Sequence, residues 1–292
     1  MLWIWITLAA AAVQTLRFML QKKLASTGLS VGGATFSRFL FGAPIAVLTA
    51  VATLQMAGPL PLPGARFWAF ALLGGAAQVA GTFLTVSLFK LRNFAVGVAF
   101  TKTETVQVAL MSLLVLGEAV SGLGWAGIAL GLGGVLALSR TPSGFSGRAT
   151  LYGVLAGGLL GLSAICYRGA TLELLPGGSF ARAIVTLGCV TTAQALGMGL
   201  YLRLREPGEL SRVVAAWRRT VWVGVAGIAG SAGWFTAFAL QNAAYVRALG
   251  QVEMVFTLLV SALVFRERLS GREGFGIALV VLSLVLIVLG GR

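Results

Sequence analysis

Thr101-Lys102-Thr103-Glu104-Thr105-Val106-Gln107 places two formal charges and four further polar groups inside a run, 94–116, that is otherwise apolar and long enough to cross a bilayer. A charge near the middle of a lipid-facing helix is penalised by about 2.5–3.5 kcal/mol on insertion scales, so such residues face a cavity or a partner. Gly250-Gln251-Val252-Glu253 repeats the feature in a second apolar run, with Glu253 in register with Glu104 at an offset of 149. Two matched carboxylates at membrane depth mark a central pathway.

Composition sets the class. Of the 292 residues 58% are hydrophobic and only 10% charged, far from a soluble domain. Runs of about 20 apolar residues fit helices, which satisfy their own backbone in lipid. The formal charge of +14 does not point to nucleic acid, because Lys and Arg are spread over short connections, as juxtamembrane anchors are. There is no His, which removes the commonest metal ligand and general base. Cys166 and Cys189 fall inside apolar runs and read as small packing residues, with no disulfide expected. The first run, 2–20, has neither a basic leader nor a cleavage site, so it reads as a retained helix.

Apolar runs and Pro/Gly punctuation predict ten spans: 2–20, 33–56, 67–89, 94–116, 121–139, 150–170, 179–202, 220–241, 246–265 and 271–290. The longest connection, 203–219, carries five Arg and a short interfacial helix near 213–217. The chain also repeats itself. Leu110–Leu130 against Leu259–Leu279 is identical at 11 of 21 positions, including Glu118/Glu267, Ser121/Ser270 and Gly122/Gly271. The expected fold is therefore an all-α polytopic membrane protein of ten transmembrane helices, built as two five-helix repeats, 1–145 and 146–292. Five is odd, so the second repeat enters from the opposite side. Such inverted repeats place a site at their seam near the midplane.

Of the 22 Lys and Arg, 16 flank the odd-numbered connections, five lie on the other side, and Lys102 is inside a span. This puts the odd connections in the cytoplasm and both termini outside.

Each half has an Arg early in its second span, Arg38 or Arg182. Each also reaches its last hairpin through Leu116-Gly117-Glu118-x-x-Ser121-Gly122 or Phe265-Arg266-Glu267-x-x-Ser270-Gly271. In these features nearly the whole chain resembles the drug/metabolite transporter superfamily, EamA type. The Lys102/Glu104 run leading into Leu113-Leu114-Val115-Leu116-Gly117-Glu118 is most similar to bacterial exporters of aromatic amino acids. The resemblance implies a secondary transporter of the bacterial inner membrane. It would export amino acids or other metabolites, and amphipathic drugs among them. Eukaryotic members are drawn with both termini in the cytosol, opposite to the charge count here.

On one continuous helix Lys102 and Glu104 lie on nearly opposite faces, so one lines the cavity while the other pairs with a neighbour. The repeat keeps the carboxylate as Glu253 but has Gln251 at the position of Lys102, which gives the shared role to the Glu pair. Gln78 and Thr82 share a face of the third span and correspond to Gly227 and Ser231 in the eighth, where Trp234 follows one turn on. A small residue opposite a glutamine leaves room for a solute, and the indole offers a flat wall with one donor. Gln78, Thr82, Lys102, Glu104, Ser231, Trp234, Gln251 and Glu253 are thus the candidate substrate-binding residues. The charged ones also read as interhelical braces, and Trp234 also reads as a packing residue. Gln14 and Thr35 are further polar intruders. Arg38 and Arg182 either hold a substrate carboxylate or snorkel from helix ends, and Arg17 is similar. Glu118 and Glu267 belong to hairpins, with a capping role. Small residues such as Gly127, Gly131 and Gly134 make the fifth span, and its partner the tenth, buttresses or a dimer contact.

A carrier of small solutes fits best. No G-x-x-x-x-G-K-[ST], H-E-x-x-H or G-x-S-x-G occurs, so neither nucleotide-driven transport nor an intramembrane enzyme has its usual equipment. A channel or scaffold is the remaining alternative. No catalytic residue, metal or cofactor is expected. The partners expected are a small-molecule substrate and the lipid bilayer, in a monomer or homodimer, with no nucleic acid.

Overall fold

A computed structural model describes residues 1–25, 28–88, 101–138, 147–256 and 271–291, and these are helical without strands. In chain order the helices are α1 (Leu2–Ala25), α2 (Val31–Ala57), α3 (Ala65–Leu88), α4 (Glu104–Leu116), α5 (Gly122–Leu138), α6 (Gly147–Leu172), α7 (Ser179–Arg205), α8 (Glu209–Ala215), α9 (Trp217–Leu240), α10 (Ala243–Leu249) and α11 (Gly271–Gly290). Six of these, α1, α2, α3, α6, α7 and α9, are long and apolar enough to cross a membrane, and α4, α5 and α11 are shorter apolar helices. The short helix expected at 213–217 is α8, four residues earlier at its start.

Local chemistry sets the ends. Ser30 caps α2, its hydroxyl accepting from the Gly33 amide at 2.8 Å, and the Asn242 side chain caps α10 by accepting from the Ala244 amide at 2.7 Å. Gly117, at φ 68°, ends α4 in the left-handed region that a side chain would resist. Within spans, hydroxyls bond back to their own helix: Thr7 to the Trp3 carbonyl, Thr85 to Gly81, Thr186 to Arg182. Such bonds let polar side chains sit in an apolar phase.

The fourth span is not one continuous helix. Lys102 and Thr103 form a turn before α4 begins, and the Thr105 amide donates to the Lys102 carbonyl three residues back. The ninth does the same: a turn at Gly250-Gln251 separates α10 from helical residues 252–256, and the Met254 amide donates to the Gln251 carbonyl. At the offset of 149 these are the same hydrogen bond. A single three-residue tightening inside a helix re-aims the side chains on either side of it, so the opposite-face argument for Lys102 and Glu104 does not hold. Close glycine contacts fit the breaks into the bundle. A Cβ at Gly157 of α6 would stand 2.6 Å from the Thr101 carbonyl oxygen, and one at Gly250 would stand 2.5 Å from the Trp234 ring.

The helices pair across the two halves of the chain: α1 with α9, α3 with α6, α2 with α7, and α5 with α11. In the interior Ala is the commonest buried apolar residue and Thr the commonest buried polar one, while Leu48, Leu72, Leu114, Leu196 and Trp222 point outward. This is the distribution expected where the surroundings are lipid. α5 lies against α11 through glycines: a Cβ at Gly127 or Gly134 would meet Ile287 or Val280 within 3 Å. The glycine stripe is therefore used within the chain, as a buttress.

Candidate functional site

Side chains from α1, α2, α3, α6, α9 and α10 line a partly open cavity of about 40 Å³ in the bundle. Space of that size holds a few waters and is well short of a drug-sized ligand pocket, so the helices must part further to admit the body of a solute. Its polar wall holds Gln14, Arg17, Arg38, Gln78, Ser231 and Arg247; Trp234, Phe235 and Phe238 supply an aromatic side. Trp234 stacks on Phe238 at 6.1 Å and Tyr167 on Phe235 at 4.2 Å.

Two ion pairs join the two helix breaks. Lys102 pairs with Glu253, and Glu104 with Arg247, so each half contributes one cation and one carboxylate to the other. All four side chains are largely buried. Such pairs are costly to desolvate, and breaking one by removing a single partner is strongly unfavourable. Gln14 of α1 connects this crossed pair to the cavity. Its Nε2 donates to Glu253 at 3.0 Å, while its Oε1 accepts from the Trp234 indole at 3.1 Å and from Arg17 at 3.4 Å. Arg247 also lies over the Trp234 ring, 5.0 Å from its centroid, a cation–π contact.

Gln78, Thr82, Ser231 and Trp234 line the cavity. Gln78 accepts from Gln194 of α7 at 2.9 Å, and Ser231 accepts from Arg38 at 2.9 Å. The space expected beside Gly227 is filled by the stem of Arg38, since a Cβ there would stand 2.9 Å from the Arg38 Cγ. Lys102, Glu104 and Glu253 sit behind the wall in the crossed pairs and are not part of it. Gln251 is turned away towards α5 and α11. It is 1% exposed, its amide has no hydrogen-bond partner among the described residues, and its oxygen is what a Cβ at Gly131 would strike at 2.6 Å. Thr35 is buried with its hydroxyl unpartnered among the described residues.

The arginines divide. Arg17 and Arg38 are buried and line the cavity. Arg182 instead binds backbone, donating to the Thr171 carbonyl at 2.9 Å and reaching the Ala239 carbonyl at 3.5 Å. Arg247, read from sequence only as a flanking charge, is the partner of Glu104. The signal that singled out Glu104, an ionisable group inside an apolar run, applies equally to Arg17 and Arg247.

Polar contacts join the helices near both ends of the bundle. At one, Glu118 forms a fork with Arg168, at 2.7 and 3.1 Å, and Arg168 also donates to the Phe238 carbonyl at 2.7 Å. Beside it Tyr245 donates to Ser121 at 3.1 Å, and Gln241 to the Gly291 carbonyl at 2.9 Å. Glu118 is thus a clasp between helices; Glu267 lies outside the described residues. At the other end the buried Glu209 of α8 accepts from the Ser30 amide at the positive start of α2. Among the described residues no group of three His, Cys, Asp or Glu is assembled, and Cys166 and Cys189 are free thiols.

The EamA-like transporter family matches residues 1–140 and 148–289. A solved protein crystal structure is similar at 17% identity, covering 98% of this chain and 97% of its own, with a TM-score of 0.73. That likeness concerns the fold. No curated protein is matched at a significant level.

Proposed function

The chain belongs to the EamA-like transporter family, and on that premise we propose that it is a secondary carrier moving small organic solutes by alternating access. It is a multi-pass membrane protein, and the family's members are transporters of small solutes. The observation that carries the proposal is the crossed pair Lys102–Glu253 and Glu104–Arg247, set at two matched helix breaks behind a polar cavity. Discontinuous helices at the seam of two repeats are how carriers build sites exposed to each side in turn.

Two separate family-matched segments and the cross-pairing of α1 with α9 and α3 with α6 support reading the chain as two inverted units, 1–145 and 146–292, of five spans each. Gln78, Thr82, Ser231 and Trp234 are the proposed solute contacts, while Lys102, Glu104 and Glu253 hold the two units together around them. Gln251, facing α5 and α11, supports the second break. Export across a bacterial inner membrane, with aromatic solutes and amino acids among them, follows the resemblance of 102–118 and suits the aromatic wall.

Purified protein in liposomes should exchange labelled phenylalanine or a related aromatic solute with saturable kinetics, competed by analogues. Trp234→Ala should raise the half-saturating concentration several-fold. Unsaturable flux would make the protein a channel, and no flux of any aromatic acid, amine or amino acid would end the carrier reading.

A further inference from the structure

The cavity is one-sided in charge. Arg17 and Arg38 line it at 6% and 8% exposure, and neither meets a carboxylate among the described residues. Arg38 donates to the neutral Ser231 hydroxyl, and one Arg17 nitrogen reaches the Gln14 amide oxygen at 3.4 Å. The other terminal nitrogen of Arg17, Nη1, and the Gln21 amide nitrogen are buried donors without a partner among the described residues, and both side chains belong to the cavity wall. The third guanidinium there, Arg247, is neutralised by Glu104. Glu104 and Glu253 are each committed to a cation, and neither lines the cavity.

Two buried guanidiniums facing one cavity repel each other and are unfavourable without an anion. A fork of N–H donors at such depth matches an oxyanion, which it can grip with two parallel hydrogen bonds. A substrate ammonium would find no free carboxylate among the described wall residues, which offer it aromatic faces and amide oxygens instead.

We propose that Arg17 and Arg38, with Gln21, form the oxyanion-binding end of the transport site, and that the solute carried is an aromatic compound with net negative charge. The headgroup chemistry is shared by a carboxylate and a phosphate ester, and the ring lies against Trp234 and Phe238. The assignment rests on the carrier reading above and adds the sign of the cargo.

A matched series on one ring tests it: 3-phenylpropionate as anion, phenyl phosphate as the second oxyanion, phenylalanine as zwitterion and phenethylamine as cation. With the full-length protein in detergent, at least one of the two anions should bind ten-fold or more tightly than phenylalanine, and phenethylamine should not compete. Which anion binds better identifies the headgroup. Arg17→Gln should lose at least ten-fold in anion affinity and Arg17→Lys should recover part of it. Arg218→Gln, at a residue beside Trp217 outside the cavity, should change nothing. The wild-type series needs no variant, so misfolding of Arg17→Gln does not spoil the test. Phenylalanine binding as tightly as both anions, competition by phenethylamine, or no binding of either anion would overturn the assignment. Saturable phenylalanine flux that neither anion inhibits would overturn it while leaving the carrier standing; no saturable flux of any of the four would overturn both.

Discussion

Removing the Glu104 carboxylate leaves the Arg247 guanidinium buried without its anion, and the reverse change leaves a bare carboxylate. Uncompensated buried charges of this kind cost about 3–5 kcal/mol when one partner of a pair is removed. Glu104→Gln and Arg247→Gln should therefore each lower thermal stability in detergent markedly. The double variant Glu104→Gln/Arg247→Gln should lose less than the sum of the two, because both charges leave together. Strict additivity in that cycle would show that the two side chains do not act as a pair. Glu253 differs in also accepting from Gln14, so Gln14→Ala should disturb both the cavity and the second pair. The expected outcome in a binding titration is a lower affinity for aromatic solute, since the Trp234 indole loses its acceptor. At this scale the sequence was legible for what is ionisable at depth and silent on what meets what. Glu104 and Glu253 stand out in their apolar runs, but pairing across 143 positions, as between Glu104 and Arg247, leaves no trace in periodicity. Arg17 was obscured by a long side chain's freedom to snorkel, which makes an Arg near a span end ambiguous.

Helix boundaries were more legible, because Pro and Gly clusters end helices for steric reasons that operate before any tertiary contact. The internal breaks were not. Nothing at Thr101-Lys102-Thr103 forbids a helix; the turn exists alongside a close contact with Gly157 and an ion pair reaching to Glu253. The glycines of α5 allow a controlled test of how close approach is used. Gly133 has open space where a Cβ would go, whereas at Gly134 it would stand 2.9 Å from Val280 and 3.0 Å from the Gly276 carbonyl oxygen. Gly133→Ala should be neutral or stabilising by up to about 1 kcal/mol, the helix-propensity gain. Gly134→Ala should be destabilising, because backbone on α11 cannot yield as a flexible side chain end would. Equal melting temperatures for the two variants would mean that α5 and α11 are not in this contact.

At the scale of the molecule, the two-unit reading makes a claim about sides that a labelling experiment reaches directly. The connection holding Leu62, between α2 and α3, and the one holding Pro207, between α7 and α8, occupy equivalent places in the two proposed units, and both residues are exposed. Five spans would separate them, so in an inverted duplication they lie on opposite sides of the membrane. Lys and Arg concentrate on the Pro207 side: Arg203, Arg205, Arg212, Arg218 and Arg219 surround it, whereas the connection 58–64 has none. On that bias Pro207 is expected in the cytoplasm. In a background with Cys166 and Cys189 replaced by Ala, Leu62→Cys should react with a membrane-impermeant maleimide in intact cells, and Pro207→Cys only after permeabilisation. The reversed pattern would keep the inverted repeat and turn the whole molecule over. Labelling of both from one side would remove the inverted repeat, and with it the basis for a site exposed to each side in turn at the breaks near 102 and 251.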